Sequence, residues 1–327
     1  MNIGFLVNER TELGAEQTTT LMMAAAARRR HRVFVFGVAD LSLDSGGRVL
    51  ASGCVIDEGA PKDLVEQVRI APSVSSALQD HDLTIVRTNP GRDEARLSLH
   101  LACLRMLERA VEEGVPVVNG PRGLWRALTK LSLFELPAEL RPRTLVTRDI
   151  GSIQEFVEQH GRTVIKPLDG TRGRDVFVLE ADRPKSNTRQ IVDVILRQGY
   201  AVLQEFVPGA ERGDVRVTVA GGEVLEVDGH PAAVARVPGR DDFRSNLHAG
   251  GSAGPAILTD AMRDAVTQIA PMLEREGLFH VGVDFVVNRI LELNVFSPGG
   301  LHPSERLYGV DFSSAIIEAL EKRHPCS

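Results

Sequence analysis

The chain is predicted to be α/β in its first third and α+β thereafter, on three observations. Strand and helix patterns alternate through the first 120 residues. Short mixed elements follow Asn119-Gly120-Pro121, and strands dominate from Tyr200 onward. Alternating strands and helices indicate a parallel sheet wound on both faces. Three units are expected: an N-terminal α/β domain over 1–120, a small α+β domain over 121–200, and a C-terminal antiparallel-sheet domain over 201–327.

Each element has its own signal. Mostly apolar runs at Ile3–Val7, Val33–Phe36, Leu83–Arg87 and Val115–Val118 read as strands. Helical spacing covers Thr18–Arg30, Leu64–Leu78 and Glu94–Gly114. Arg87-Thr88-Asn89-Pro90 falls just past a strand's carboxyl end, where ligands of wound sheets bind. Arg87 is therefore either an anion contact or a surface arginine. In the middle unit, Arg122–Leu133 is helix-like and carries Lys130, and strands are expected at Arg143–Thr147, Arg162–Pro167 and Val176–Glu180 around a Ser152–His160 helix. Lys166 ends its strand before the turn-rich Leu168-Asp169-Gly170-Thr171-Arg172-Gly173-Arg174. It is either half of a phosphate cradle made with backbone N–H groups or a surface lysine. Further on, Tyr200–Val207 is a strand, Asp214–Val219 and Glu223–Val227 form a hairpin through Gly221-Gly222, Thr259–Glu276 is a helix, and Ser304–Lys322 is helical in part.

The stretch Val281 to Val295 carries the most chemistry. Odd positions 281–287 and 291–295 are all apolar, the period-two face of strands on a core. Asp284, Glu292 and Asn294 lie on the even face. A three-residue loop over Val287–Arg289 puts Asp284 opposite Glu292, with Asn294 two residues further on. Two carboxylates and an amide oxygen so placed suit Mg²⁺, which prefers oxygen ligands and retains waters and substrate phosphates. The alternative is an ordinary ribbon with a solvated polar face.

Composition excludes several classes. The 327 residues suffice for two or three domains with a substantial core. A net charge of −6 with one basic cluster, Arg28 to Arg32, gives no nucleic-acid footprint; that cluster reads as a helix C-terminus whose cations oppose the dipole. Cys54, Cys103 and Cys326 are too widely spaced for a zinc site or a disulfide framework. No apolar run reaches membrane-spanning length, and the chain opens on a strand without a signal peptide. A cytoplasmic protein is expected. There is no Walker loop, and no glycine fingerprint follows the first strand, which counts against a dinucleotide oxidoreductase.

Several strings together resemble the ATP-grasp superfamily and, within it, the bacterial glutathione synthetases: Ile165-Lys166-Pro167-Leu168-Asp169-Gly170, Ala235-Arg236-Val237-Pro238, Arg244-Ser245-Asn246-Leu247 with Ala249-Gly250-Gly251, and Gly282-Val283-Asp284 through Glu292-Leu293-Asn294-Val295. Val117-Val118-Asn119 and Thr144 to Arg148 are similar to that family too. The resemblance implies an ATP-grasp fold in which residues 1–120 are the wound substrate domain, 121–200 a lid and 201–327 the metal-bearing domain. It implies an ATP-dependent carboxylate–amine ligase, with two Mg²⁺ ions (or Mn²⁺) and ATP as co-substrate. Lys130 and Lys166 would hold the phosphates, Gln204, Glu205, Phe206 and Val207 the adenine, and Asp214 would lie near the nucleotide. Arg216 would stabilise the transferring phosphoryl group. Arg236, Arg244 and Asn246 would meet the carboxylate substrate, Gly250 and Gly251 would belong to the substrate loop, and Asp284, Glu292 and Asn294 would hold the metals.

The implied reaction joins γ-glutamylcysteine to glycine. The alternatives are a related ligase that joins a different amino acid or amine to a carboxylate, and a non-catalytic nucleotide-binding protein on the same fold. The implied partners are a small-molecule or short-peptide carboxylate and an amine, with no nucleic acid, no membrane and a homo-oligomeric assembly. The chain departs from the family at Thr171-Arg172-Gly173-Arg174, whose arginines either touch phosphate or face solvent, at His248, and at Phe296-Ser297-Pro298-Gly299-Gly300-Leu301-His302, a loop that the resemblance places on the acceptor-amine side.

Overall fold

A computed structural model describes residues 1–169, 175–182, 185–239 and 252–325. In the N-terminal third the elements run β1 (Asn2–Val7), α1 (Thr18–Arg28), β2 (Arg32–Gly37), β3 (Leu41–Leu43), β4 (Val49–Ile56), α2 (Pro61–Ile70), β5 (Val74–Ala77), β6 (Leu83–Arg87), α3 (Leu97–Glu112) and β7 (Val117–Val118). They form one sheet in the order β3-β4-β2-β1-β6-β7, with β5 on β4. The strands β2, β1, β6 and β7 are mutually parallel. The edge formed by β3, β4 and β5 is antiparallel, where the sequence reading had only helix or loop. Val49–Ile56 lacks a clean apolar alternation because Gly53 must be small. A Cβ there would lie 2.4 Å from Val35 O, a contact the sequence does not announce.

Past β7 come α4 (Pro121–Arg126), β8 (Thr144–Thr147), α5 (Ile150–His160), β9 (Arg162–Pro167), β10 (Phe177–Glu180), α6 (Lys185–Gln198) and β11 (Ala201–Glu205). The four strands make an antiparallel-paired sheet in the order β10-β9-β11-β8. Its core is Ile153, Val157, Ile165, Leu179, Val192 and Ile195 with Ala201 and Leu203. The expected Arg122–Leu133 helix does not run through. It stops at Arg126, and a separate 3₁₀ turn over Lys130–Glu135 starts from Thr129, whose hydroxyl accepts from Leu131 N. Lys130 thus stands at the start of its own turn.

The last section comprises β12 (Asp214–Ala220), β13 (Glu223–Val224), β14 (Glu226–Val227), β15 (His230–Pro231), β16 (Ala233–Val237), β17 (Ser252–Pro255), α7 (Asp260–Arg275), β18 (His280–Val286), β19 (Arg289–Asn294), α8 (Leu301–Tyr308) and α9 (Phe312–Arg323). An antiparallel sheet runs β17-β16-β12-β18-β19, with β13 on β12. Val217, Val219, Val281, Val283 and Phe285 bury one face against Met262, Ala265 and Ile269 of α7. The opposite face is polar and is where the site lies.

Two polar links fix this last section to the N-terminal one. Asn119, just past β7, donates from Nδ2 to His280 O at 2.8 Å and to Val295 O at 2.9 Å, and its Oδ1 accepts from Phe279 N and His280 N. The basic cluster closing α1 does more than oppose a dipole: Arg28 pairs with Asp311 at 2.8 Å, and Arg29 and His31 both reach Glu321 on α9 at 2.5 Å. The hydrogen bond from Arg29, with help from His31, outweighs burial and holds the Glu321 carboxyl at about 2. A depressed carboxylate stabilises the fold above its unfolded pKa, and that contribution is lost as pH falls towards the folded value. Glu321→Gln is expected to reduce unfolding free energy by roughly 1 kcal/mol at pH 7. The deficit should shrink as pH is lowered from about 5 to about 3. Urea titrations at several pH values check this, and a deficit independent of pH would contradict it.

Candidate active site

The polar face of the late sheet is organised in rows by strand register. Arg236 pairs with Asp214 across β16 and β12. The next row is Arg216, Asp284 and Glu292, and the next Thr218, Gly282 and Asn294, across β12, β18 and β19. Alternation puts residues of one row on one face, so Asp214, Arg216, Asp284, Glu292 and Asn294 project together. Gly282 keeps the third row low. A Cβ there would lie 3.0 Å from Arg216 Cδ and 3.5 Å from Asn294 Cβ.

The expected Asp284–Glu292 pairing is present, but a different loop produces it. The turn has two residues, Val287-Asn288, and Val287 takes φ +54°. Phe285 pairs with Ile290 and Asp284 with Glu292, so Leu291 is the extra residue of a β-bulge. As a result Ile290 is fully buried, whereas Leu291 is only half-buried and Val287 is 50% exposed. The reading that put Val287 and Leu291 on the core face is corrected, because the bulge resets the alternation between the turn and the acids.

Asp284 is buried and is the centre of a charge chain. Arg216 grips it with Nε and Nη2, the latter at 2.7 Å from Oδ2. Arg236 reaches the same Oδ2 at 2.9 Å while donating to both oxygens of Asp214 at 2.5 and 2.6 Å. Burial alone would raise the Asp284 carboxyl; Arg216 and Arg236 outweigh it and hold it at about 2. Burial likewise works against the Arg236 cation, and Asp284 and Asp214 overcome it and raise its pKa. Two guanidiniums and two carboxylates leave the chain neutral.

Asn294 donates from Nδ2 to Asp284 Oδ2 at 3.1 Å and to Gly282 O, which turns its oxygen away from Asp284. Glu292 forms no ion pair among the described residues. Among those residues no cluster of three or more His, Cys, Asp or Glu is placed to hold a metal. The donor set here is instead Glu292 and the Asn294 amide oxygen, with Asp284 behind them. Such hard oxygens fit a divalent cation, and Asp284 would join only by releasing one guanidinium contact.

Two cavities meet at this point. One, of about 930 Å³, is lined by Arg87, Arg216, Arg236, the start of α1 and the Ser297–Gly300 loop. The other, of about 460 Å³, is lined by Lys130, Lys166, Leu168 and Asp169. Asn89, Glu292, Asn294 and Phe296 line both. Lys130 donates to Pro167 O at 2.9 Å and Leu168 O at 3.2 Å. Burial lowers its pKa, opposed by Glu292. Burial pushes Lys166 down to about 8, against the pull of Glu292.

The structure thus brings Lys130, Lys166, Glu292 and Asn294 to one cavity and Arg216 and Arg236 to its neighbour. Asp214 is bound to Arg236 below them. Gln204, Glu205, Phe206 and Val207 line neither cavity. The Gln204 side chain is buried and donates to Thr144 Oγ1, the N–H groups of Glu205 and Phe206 go to Arg143 O and Arg162 O, and the Phe206 ring lies 3.7 Å under the Arg162 guanidinium. Arg172, Arg174, Arg244, Asn246, His248, Gly250 and Gly251 lie outside the described residues.

Arg87 is no surface arginine. It is 4% exposed and donates to Thr19 Oγ1 at 3.1 Å, His280 Nδ1 at 3.1 Å and Pro298 O at 2.9 Å. Burial, aided by Arg92, pushes its pKa down to about 9. Sequence reading missed His280 and Thr19. A polar residue at each end of an apolar strand or helix was the available signal.

The comparisons agree with one another. Residues 1–125 match the family model for the prokaryotic glutathione synthetase N-terminal domain, and residues 129–309 match that for its ATP-grasp domain. The chain is 34% identical over 249 residues to a glutathione synthetase of Vibrio cholerae, covering 76% of this chain and 74% of the relative. It is 31% identical over 295 residues to one of Shewanella oneidensis, covering 90% and 89%. Among solved structures, the D-cycloserine synthetase DcsG superposes with a TM-score of 0.65 at 15% identity, over 98% of this chain and 99% of the other. The ATP-grasp ligase PsnB with its minimal precursor superposes with a TM-score of 0.63 at 22% identity, over 98% of each chain. At those identities the structural matches establish the fold.

The charge chain separates the two carboxylates energetically. Asp284→Asn leaves two buried guanidiniums facing one carboxylate and is expected to destabilise the fold by roughly 3 kcal/mol. Glu292→Gln breaks no ion pair among the described residues and should cost less than about 0.5 kcal/mol. Urea midpoints of the two variants decide this; equal losses would contradict the assigned roles.

Proposed function

The chain belongs to the prokaryotic glutathione synthetase family, and from that premise we propose how its residues make an amide bond. The protein is an ATP-dependent ligase that joins the carboxylate of γ-glutamylcysteine to the amine of glycine, releasing ADP and phosphate. One observation carries the residue assignment: a lysine-lined cavity and an arginine-lined cavity share Glu292 and Asn294 as a common wall. A triphosphate in the first and a carboxylate in the second would meet there.

A carboxylate is a poor electrophile, so its oxygen must first take the γ-phosphoryl group; the acyl phosphate then yields to the amine. Such transfer depends on positioning and on cations at the developing charge rather than on a protein nucleophile. Lys130 and Lys166 hold the phosphates. Arg216 and Arg236, neutralised by Asp284 and Asp214 while the site waits, lie on the carboxylate side. Arg87, whose charge no described carboxylate balances, holds an anionic group of the peptide substrate at the far wall. Glu292 and Asn294, with Asp284, would hold magnesium, which would neutralise phosphate charge when bound; two ions, with manganese as a substitute, are the proposed complement. The 121–200 unit shields the acyl phosphate from water.

The acceptor side favours a second arm in the test. Among the described residues nothing lies within 4 Å of a Cβ built on Gly299, and amines larger than glycine form that second arm. Substrate-dependent ADP release is expected with γ-glutamylcysteine and glycine. Turnover only with a bulkier amine would move the assignment to a sister ligase, and no ADP with any pair would refute catalysis. Lys166 adds a pH signature. Its ammonium must be charged to hold phosphate, and it loses its proton as pH rises through about 8. The ATP dissociation constant is expected to rise by up to about tenfold per pH unit above that value. Lys166→Arg, which stays charged, should flatten the profile in titration calorimetry. An unchanged slope in that variant would contradict the role.

A further inference from the structure

Arg87 is held in an unusual way for a buried cation. Its three protein acceptors, Thr19 Oγ1, His280 Nδ1 and Pro298 O, are all uncharged. No carboxylate pairs with it among the described residues, and it lines the larger cavity. A guanidinium has only donors, so His280 Nδ1 must offer a lone pair and the ring proton must sit on Nε2. Burial and the neighbouring Arg87 both keep the imidazole neutral, with its pKa well below the ordinary value. The backbone that carries the ring is itself anchored, since Asn119 binds both the N–H and the carbonyl of His280 at 2.8 Å.

We propose that His280 is a positioning residue for the carboxylate substrate: its neutral Nδ1 fixes the Arg87 guanidinium against the cavity wall without cancelling its charge, so that the substrate's anionic group supplies the missing counter-charge. A carboxylate at position 280 would hold Arg87 more strongly and leave nothing for the ligand. An apolar residue would preserve the charge and lose the orientation. The neutral acceptor meets both requirements, at a hydrogen bond to a charged group of the stronger kind. The inference rests on the reading of Arg87 as a substrate contact, and the experiment separates the two.

Steady-state kinetics of the full chain would be measured with ATP and γ-glutamylcysteine varied in turn. His280→Leu is expected to raise the KM for the peptide about tenfold or more while the KM for ATP changes less than about twofold. His280→Asn returns an acceptor to the δ position and should bring the peptide KM back to within about threefold of the parent. His280→Asp should raise it as Leu does, by neutralising Arg87. Equal peptide KM values for the Leu and Asn variants, or equal shifts for ATP and peptide, would overturn the proposal. If the Leu variant does not fold, the Asn–Asp comparison decides, and equal values there overturn it. Arg87→Met is the control. A peptide KM unchanged in that variant removes Arg87 as a contact, whereas a raised KM alongside an indifferent His280 series removes only His280.

Discussion

The bidentate grip of Arg216 on Asp284, extended through Arg236 to Asp214, is the constraint on which the rest of the site depends. A buried carboxylate without a cation beside it would tend to protonate, and a buried guanidinium without acceptors would be costly. Arranged as alternating charges in cross-strand rows, the four groups keep full charges on the floor of a cleft with no net charge to repel either ligand. The sheet register performs the alignment. Arg216 faces Asp284 and Arg236 faces Asp214 because β12 lies between β16 and β18. Glu292 extends the Arg216–Asp284 row one strand further out, and Asn294 stands on the same strand in the next row, so both face the junction the two cavities share.

The cleft is also a joint between sheets formed far apart in sequence. Asn119, at the end of the N-terminal sheet, bonds to β18 and to Val295 just past β19. Arg87, at the end of β6, bonds to the first residue of β18 and to the loop after β19. The polar residues at the carboxyl ends of a wound sheet, where ligands of such sheets gather, here fasten the ribbon that carries the acids. The lysine lobe meets the ribbon from the other side, and Glu292 draws on both Lys130 and Lys166 electrostatically.

Much of this was legible in residue order, and what was not has identifiable causes. The parallel strands β1 and β2 showed as almost unbroken apolar runs, and β6 as a mostly apolar one with Thr84 inside it and Arg87 at its end, because both their faces are buried, and β9 was read with its observed limits. The antiparallel edge was not seen, since Leu41–Leu43 and Val74–Ala77 are short and partly exposed and so carry little periodicity. The helix α6 was missed because apolar positions such as Ile191, Val192 and Ile195 appear only in its second half. In the site, Asp284, Glu292 and Asn294 were found by alternation, and Lys166 by its place at a strand end. The ion pairs that occupy Asp284 and Asp214 were hidden, because cross-strand neighbours from β12 and β16 depend on a sheet order that no local pattern encodes. The same ignorance of neighbours left Arg87 undecided between surface and ligand; its acceptors come from α1, β18 and a late loop.

The bulge at Leu291 gives the interval between the two acids a meaning of its own. In a regular hairpin closed by Val287-Asn288, the residue facing Asp284 would be 291, six intervening positions along the chain. The extra residue moves that partner to 292 and makes seven. The count therefore records an irregularity of the ribbon as well as its length. A related chain with an unbroken ribbon would carry the same constellation with its acids one step closer, and a search keyed to either interval alone would pass over the other.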